Sequence, residues 1–247
     1  MRRRFFIDRF DTGTATLRGE SAHHLARVLR AAPGQLYELS DGASLWLARI
    51  DRVSKSAVDF TLVEPLPAPP DPLHLTLLLS IVKFDRFEWA LEKATELGVA
   101  EIVPLAASRS EKALVAAAGK RAARWLKILL ESAQQSRRLR PPILHPAARP
   151  SDAFSSAGAL HGVPSSIPSV NLLLSERPAA PSLRSVLEGK RATSASLAIG
   201  PEGGWTDDEL SSALSSGFLE ISLGPTILRT ETAVIAALAS LRFALSD

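Results

Sequence analysis

The sequence predicts an α/β protein in two parts, a small β-barrel followed by a larger domain built on a mainly parallel sheet. Three observations carry this. The segment "EPLPAPPDP", Glu64 to Pro72, holds too many prolines to continue a helix or a central strand, so it separates two regions. Before it the chain consists of short strand-like runs joined by turns. After it, apolar runs alternate with helical patterns, as a parallel sheet with crossover helices requires. The boundaries this places are 1–66 for the first domain and 73–247 for the second.

In the first part "QLYELSDG", "SLWLARIDRV" and "AVDFTLVE" read as strands. The first two are linked through Asp41-Gly42, and in the third Val58, Phe60 and Leu62 alternate with polar neighbours. Ahead of them "SAHHLARVLR" reads as a helix with an apolar stripe of Leu25, Val28 and Leu29. His23, Arg27 and Arg30 fall on another face at i, i+4 and i+7. With Arg2, Arg3 and Arg4 they form either a solvated helix face or a surface that contacts phosphates.

In the second part "LHLTLLLSIV" shows little alternation, as a strand covered on both faces should. The helix "DRFEWALEKATELG" follows, with Asp85 and Glu88 as a capping-box-like start and Phe87, Ala90, Leu91, Ala94 and Leu97 as its buried stripe. Gly98 stops it. "VAEIVPL" is the next strand, and a helical region runs from Glu111 to Leu139, weakened at Gly119 and ended by Pro141-Pro142. Near its end Glu131, Gln135 and Arg138 share a face. Residues 149–168, rich in Ser, Pro and Ala, read as an unstructured surface connection.

Composition excludes several classes. At 247 residues and 46% hydrophobic, the chain can fill real cores. It has no cysteine, so neither a disulfide framework nor a thiolate zinc site is expected, and the histidines are too scattered for a metal site. Phe5-Phe6-Ile7 is cut off by Asp8 before it could form a secretory apolar core, and no apolar run is long enough for a membrane span. A cytoplasmic location is therefore expected. Net charge is only +3, which allows a local basic surface at most. Arginine outnumbers lysine, a bias that suits phosphate recognition but that a GC-rich genome produces equally well.

Ligands of parallel sheets sit beyond the carboxyl ends of the strands. Three exits stand out: Leu174-Ser175-Glu176 after "VNLLL", Gly200 in "SLAIGPEGG", and Gly224 in "LEISLGPTILRTET". Two of these carry Gly-Pro directly after an apolar run, and glycine lets a ligand approach the backbone. After Gly200, Thr206 and Glu209 form a capping box that marks a helix start. Neither a dinucleotide fingerprint nor a P-loop is present, and no nucleophile elbow either. What remains is a set of backbone groups, aliphatic side chains and a few charges, which suits an adenosine-type ligand without a phosphate chain. The alternative is that the glycines only make tight turns.

"IGPEGGWTDDE" followed by "LGPTILRTETA" closely resembles the paired knot loops of the bacterial 16S rRNA (uracil-N(3))-methyltransferase family, within the SPOUT superfamily. "HHLARVLR" with the later "DG" is similar to that family's PUA-like barrel, and "KFDRFEWALEKATELGVAEIVPL" with Arg109-Ser110 to the opening of its catalytic domain. At one place the chain departs, with Gln134-Gln135 where relatives often have Glu-Gln. The resemblance implies a trefoil-knotted domain, S-adenosyl-L-methionine as methyl donor, and methylation of ring nitrogen 3 of a uridine in small-subunit rRNA or the 30S particle. Carried over, Leu174, Ser175, Ile199, Gly200, Pro201, Gly203, Leu223, Gly224, Ile227 and Leu228 would line the cofactor site. A homodimer is also implied, and it fits the last helix, "ETAVIAALASLRFAL", whose apolar circumference calls for packing on two sides, within one subunit or across two.

Uracil's ring N–H is a weak acid, so attack on a sulfonium methyl needs a base or groups that stabilise the developing anion. Arg229 is the candidate for that stabilisation, and Glu231 and Glu202 are the candidate bases, a role that requires burial. Glu231 reads equally as a first-turn carboxylate favoured by the helix dipole. Arg109, Gln135 and Arg138 are candidate RNA contacts alongside the basic N-terminal face. Two other functions remain open: an inactive RNA-binding assembly factor, and a related enzyme that methylates another position.

Overall fold

The computed structural model describes residues 3–54, 56–68, 73–160 and 168–245. Chain contacts divide it into two compact units, 1–70 with 131–141, and 71–130 with 142–247.

The first unit is a sheet of β1 (Arg4–Phe6), β2 (Thr14–Arg18), β3 (Leu36–Ser40), β4 (Leu45–Val53) and β5 (Ala57–Leu66), in the order β1-β3-β4-β5-β2. Strands β3 to β5 are the three predicted runs. Two register shifts between β4 and β5, at Leu47/Ala48 and Ile50/Arg52, bend the pair and curl the sheet around Phe5, Leu17, Leu39, Ile50, Val58 and Phe60. Asp41 Oδ1 accepts the N–H groups of Ala43 and Ser44 at 2.9 and 2.7 Å, which closes the β3–β4 turn. β5 runs on through Pro65, into the segment predicted to break it. It can do so because β2 pairs only as far as Thr61, so Pro65 has a ladder partner on one side alone.

The predicted N-terminal helix forms as α1 (Gly19–His23) and continues as a π-helical turn, His24–Val28, in which Leu29 N–H donates to His24 O at 3.1 Å. The wider turn rotates the face, so Ala22 and Leu25 are buried while Val28 is 63% exposed. The predicted stripe is therefore wrong at Val28. Arg4 corrects a second expectation. It is only 5% exposed, donates to Glu38 Oε2 from Nε and Nη2 at 3.1 and 2.9 Å, and bonds the carbonyl of Arg137. With Ser40 Oγ donating to Leu139 O at 2.6 Å, it holds the 131–141 segment and has no free donor edge to offer RNA.

The second unit holds a parallel sheet in the order β11-β9-β10-β6-β7-β8, made of β6 (His74–Ser80), β7 (Val99–Leu105), β8 (Ile143–Leu144), β9 (Ser169–Leu174), β10 (Ser194–Ile199) and β11 (Leu219–Ile221). Its helices are α2 (Phe84–Glu96), α3 (Lys112–Gln135, whose last five residues cluster with the first unit), α4 (Pro150–Leu160), α5 (Leu183–Leu187), α6 (Asp207–Ser215) and α7 (Thr230–Leu245). β6 and β10 are buried on both faces. Leu77, Leu79 and Leu197 join one core with Phe87, Trp125 and Leu238, while Leu78 and Ala198 join the other with Phe154, Leu210 and Phe218.

Several helix predictions need correction. α2 starts after Lys83, whose side chain has no acceptor, so Asp85 falls inside the first turn and no side-chain cap forms; Glu88 accepts from Arg124 Nε at 2.7 Å. It does end at Gly98, whose φ of +85° suits glycine, and Arg242 donates to the carbonyls of Leu97 and Gly98 there. Residues 150–160, predicted to be unstructured, form α4: Ala153, Phe154 and Ala157 pack inward, and the serines that suggested a loop occupy its outer side. The remainder of that stretch, 161–167, lies outside the described residues. α7 buries one stripe, Ala233, Val234, Ala237, Leu238 and Leu241, and leaves Phe243 91% exposed.

Glu101 on β7 is 5% exposed and takes His74 Nε2 at 3.0 Å and His145 Nε2 at 2.6 Å, tying β6, β7 and the chain after β8. Glu101→Gln keeps one acceptor and turns an amide toward the other imidazole. It should lower the unfolding free energy by about 1–3 kcal/mol, measured as a lower urea midpoint with an unchanged slope.

Candidate functional site

Ile199 of β10 pairs in register with Leu174 of β9, and Leu174 pairs with Ile221 of β11, so three neighbouring strands end level. Their exits enclose a cavity of about 600 Å³ in the second unit. All ten residues assigned to cofactor contact from the sequence line it, from Leu174 to Leu228.

Each exit is held by its own hydrogen bonds. After β10, Gly204 N–H donates to Pro201 O at 2.8 Å, with Gly204 at φ +70°. The chain then returns so that the indole of Trp205 covers Gly200, where a Cβ would stand 3.0 Å from the ring. Trp205 Nε1 donates to Leu174 O at 2.9 Å, which joins the β10 exit to the β9 exit. The predicted capping box is present: Glu209 N–H donates to Thr206 Oγ1 at 3.2 Å and Thr206 N–H donates to Glu209 Oε2 at 3.0 Å. After β9, Ser175 N–H donates to Ile221 O at 2.9 Å and Ser175 Oγ accepts from Arg177 N at 3.2 Å. After β11, Ser222 Oγ donates to Gly224 O at 3.1 Å, and Gly224 takes a φ of +132° that side-chain-bearing residues avoid.

The charged candidates separate. Arg229 lines the cavity, is exposed, and has no side-chain partner among the described residues. Glu202 lines it too, but its side chain is 49% exposed and ion-paired with Arg86, so the burial that a base at this position requires is absent. Glu231 stands in the first turn of α7 outside the cavity lining, with Oε2 buried and without a hydrogen-bond partner among the described residues. Arg109, assigned to RNA from the sequence, is exposed and donates from Nη1 to Gly203 O at 2.7 Å and Trp205 O at 3.1 Å, so it also clamps the loop. Arg3, His23, Arg27 and Arg30 are exposed in the first unit, where Gln135 and the half-buried Arg138 also belong. Arg2 lies outside the described residues. Among the described residues no group of three or more His, Asp or Glu is placed to hold a metal, and no helix is long and apolar enough to cross a membrane.

Sequence reasoning missed Arg86 and Trp205. A signal for Trp205 existed: it precedes the Thr206 cap with Leu210 four residues beyond that cap, the pattern of a hydrophobic staple, and both residues belong to one core. Arg86 had none, because it sits on the helix after β6 and not on a late strand exit.

An α/β ligand-binding domain with its cavity at the carboxyl ends of parallel strands, joined to a curled β unit, is the class that fold and site define. Residues 69–242 match the model of an RNA methyltransferase domain, and residues 17–63 that of an RNA methyltransferase PUA domain. The chain belongs to this RNA methyltransferase family. It is 33% identical over 232 residues to ribosomal RNA small subunit methyltransferase E of Synechocystis sp., spanning 92% of this chain and 72% of that one. The protein of the same name from Rickettsia conorii is 32% identical over 227 residues, 89% of this chain and 85% of that one. The crystal structure of ribosomal RNA small subunit methyltransferase E from Neisseria gonorrhoeae, bound to S-adenosyl methionine, matches with a TM-score of 0.86 at 31% identity over 99% of this chain and 98% of that one. The family resemblance drawn from the two loops is thus correct.

Arg109→Ala removes two carbonyl contacts to the β10 exit. It should cost about 1–2 kcal/mol of stability, seen as a lower urea midpoint. An unchanged midpoint with weaker RNA binding would return Arg109 to the RNA surface.

Proposed function

We propose that the protein transfers a methyl group from S-adenosylmethionine to ring nitrogen 3 of a uridine in small-subunit rRNA. The observation that carries this is the cavity at three level strand ends, walled by peptide groups and aliphatic side chains and lacking any phosphate-gripping loop. Its volume, about 600 Å³, is that of a small-molecule site, and Gly224 brings bare backbone to its wall. The relatives' names and the cofactor in the Neisseria structure support the same assignment. In it, the exits after β10 and β11 form the trefoil knot of that family.

The donor supplies an electrophilic methyl on a sulfonium, and the chain's own residues supply the rest. Leu174, Ile199, Leu223 and Leu228 exclude water, which favours a reaction in which a uracil anion and a cation neutralise each other. Arg229, unpartnered at the cavity wall, stabilises negative charge on the uracil carbonyls or holds the adjoining phosphate. Glu231, next to Thr230 of the cavity wall, is the candidate to take the ring proton; its Oε2 is buried without a hydrogen-bond partner among the described residues. The exposed cations Arg3, Arg27 and Arg30 of the first unit contact the RNA backbone. The open side of α7, with Phe243, pairs with a second subunit in a homodimer.

Mass mapping of methylated uridines in rRNA from cells lacking the protein, followed by restoration with the purified enzyme, tests the assignment: one N3-methyluridine should vanish and return. Arg229→Ala should cut methyl transfer about 100-fold or more while changing cofactor affinity severalfold at most. Equal losses in both would place Arg229 in the cofactor contact instead.

A further inference from the structure

We propose that Arg86 is a second RNA-contacting cation of the cavity, kept neutralised by Glu202 until a phosphate of the substrate takes its place. This rests on the proposed function and adds a residue and an exchange to it. Arg86 is the third residue of α2, the helix that follows β6. Because β6 lies beside β10 in the sheet, the first turn of α2 stands next to the loop that leaves β10, and Arg86 and Glu202 both line the cavity.

The pair is poorly suited to being a mere tie. Its side chains are 30% and 49% exposed, and half-solvated ion pairs contribute little to stability. Residues 200–205 are already fixed by the Trp205–Leu174 bond, by Arg109 on two carbonyls and by the Pro201–Gly204 turn. Glu202 adds no hydrogen bond beyond Arg86 and can turn into solvent at small cost.

The other cations of the cavity are accounted for differently. Arg109 donates from Nη1 to two backbone carbonyls, Arg177 stands 3.9 Å from Glu220, and Arg229 has no partner among the described residues. Arg86 alone among them is matched to an exposed carboxylate of the cavity wall. Glu202 meets Arg86 at one nitrogen through one oxygen, whereas a phosphodiester held in place by the rest of the RNA can take the guanidinium fork bidentately, so it can displace the exposed carboxylate. With RNA absent one guanidinium of the wall, Arg229, is open to a phosphate; with Glu202 displaced, Arg86 is the second. Such an arrangement favours a polyanion over small anions that reach only one of them.

The test uses the full chain with 30S particles from cells lacking the protein, in three variants: Arg86→Ala, Arg86→Lys and Glu202→Gln. Particle binding by filter retention at several salt concentrations, S-adenosylmethionine affinity by calorimetry, and thermal unfolding are read for each. Arg86→Ala should weaken particle binding about tenfold and reduce the salt slope by about one, with cofactor affinity within about twofold of the parent. Arg86→Lys should recover part of the binding and the salt slope. Glu202→Gln should move the other way and tighten particle binding, since it releases Arg86. If Arg86→Ala fails to fold, the opposed signs of Arg86→Lys and Glu202→Gln decide. Both carboxylate and arginine variants weakening particle binding alike, or both loosening the cofactor, would make the pair a loop tie and overturn the proposal, as would unchanged binding in Arg86→Ala. A parent protein that binds no S-adenosylmethionine and methylates nothing would instead overturn the proposed function, whatever the variants do to particle binding.

Discussion

The indole of Trp205 laid over Gly200, with its N–H on the carbonyl of Leu174, sets the spacing on which the cavity depends. A parallel sheet makes three strands end level, but level ends alone enclose nothing. The β10 exit must turn back within a few residues, and at position 200 a Cβ would press on the ring that covers it, at 3.0 Å. Once the ring is seated, one hydrogen bond joins two exits, and a second, from Ser175 N–H to Ile221 O, joins the third. The walls are thus held by the protein's own backbone before any ligand arrives. Preorganisation of this kind reduces the ordering cost that binding would otherwise carry.

The same economy explains why the capping box matters beyond α6. Glu209 is buried, and its two oxygens do separate work: Oε2 accepts from the backbone and hydroxyl of Thr206, while Oε1 accepts Ser108 N–H at 2.8 Å. Ser108 adjoins Arg109, whose guanidinium reaches the carbonyls of Gly203 and Trp205. One helix start therefore anchors both the loop after β10 and the segment after β7. Three acidic residues in the first turn of α6 stabilise that start through the helix dipole.

Much of this was legible in the sequence because it is written in local patterns. The both-faces-apolar strands, the α2 stripe ending at Gly98, the Thr206–Glu209 box and each Gly-Pro exit are each encoded in one short stretch of chain. What stayed hidden depends on partners distant in sequence. β1 is three residues long and exists through its parallel pairing with β3. α4 has few strong apolar residues, and its helix follows from Phe154 meeting Trp205 and Phe218. The π-helical turn that exposes Val28 leaves the hydrophobic spacing of an ordinary helix intact in the sequence, so periodicity points to the wrong face.

Arginine shows where residue type stops being informative. A surplus of arginine near glycine loops and a basic N-terminus suggests nucleic acid, yet Arg4, Arg109 and Arg242 each direct guanidinium donors at backbone carbonyls of chain segments that end or turn. The guanidinium has five donors in a rigid fork and no acceptor, which makes it as apt for orphaned carbonyls as for phosphates. Composition cannot separate the two uses, because both demand the same chemistry. Burial and partner do separate them: a guanidinium that already meets carbonyls has fewer donors to spare, whereas Arg229, exposed and without a partner among the described residues at the cavity wall, has all of them. Recognition of a polyanion therefore falls to the arginines the fold leaves unspent, and the fold, more than the count of positive charges, decides which those are.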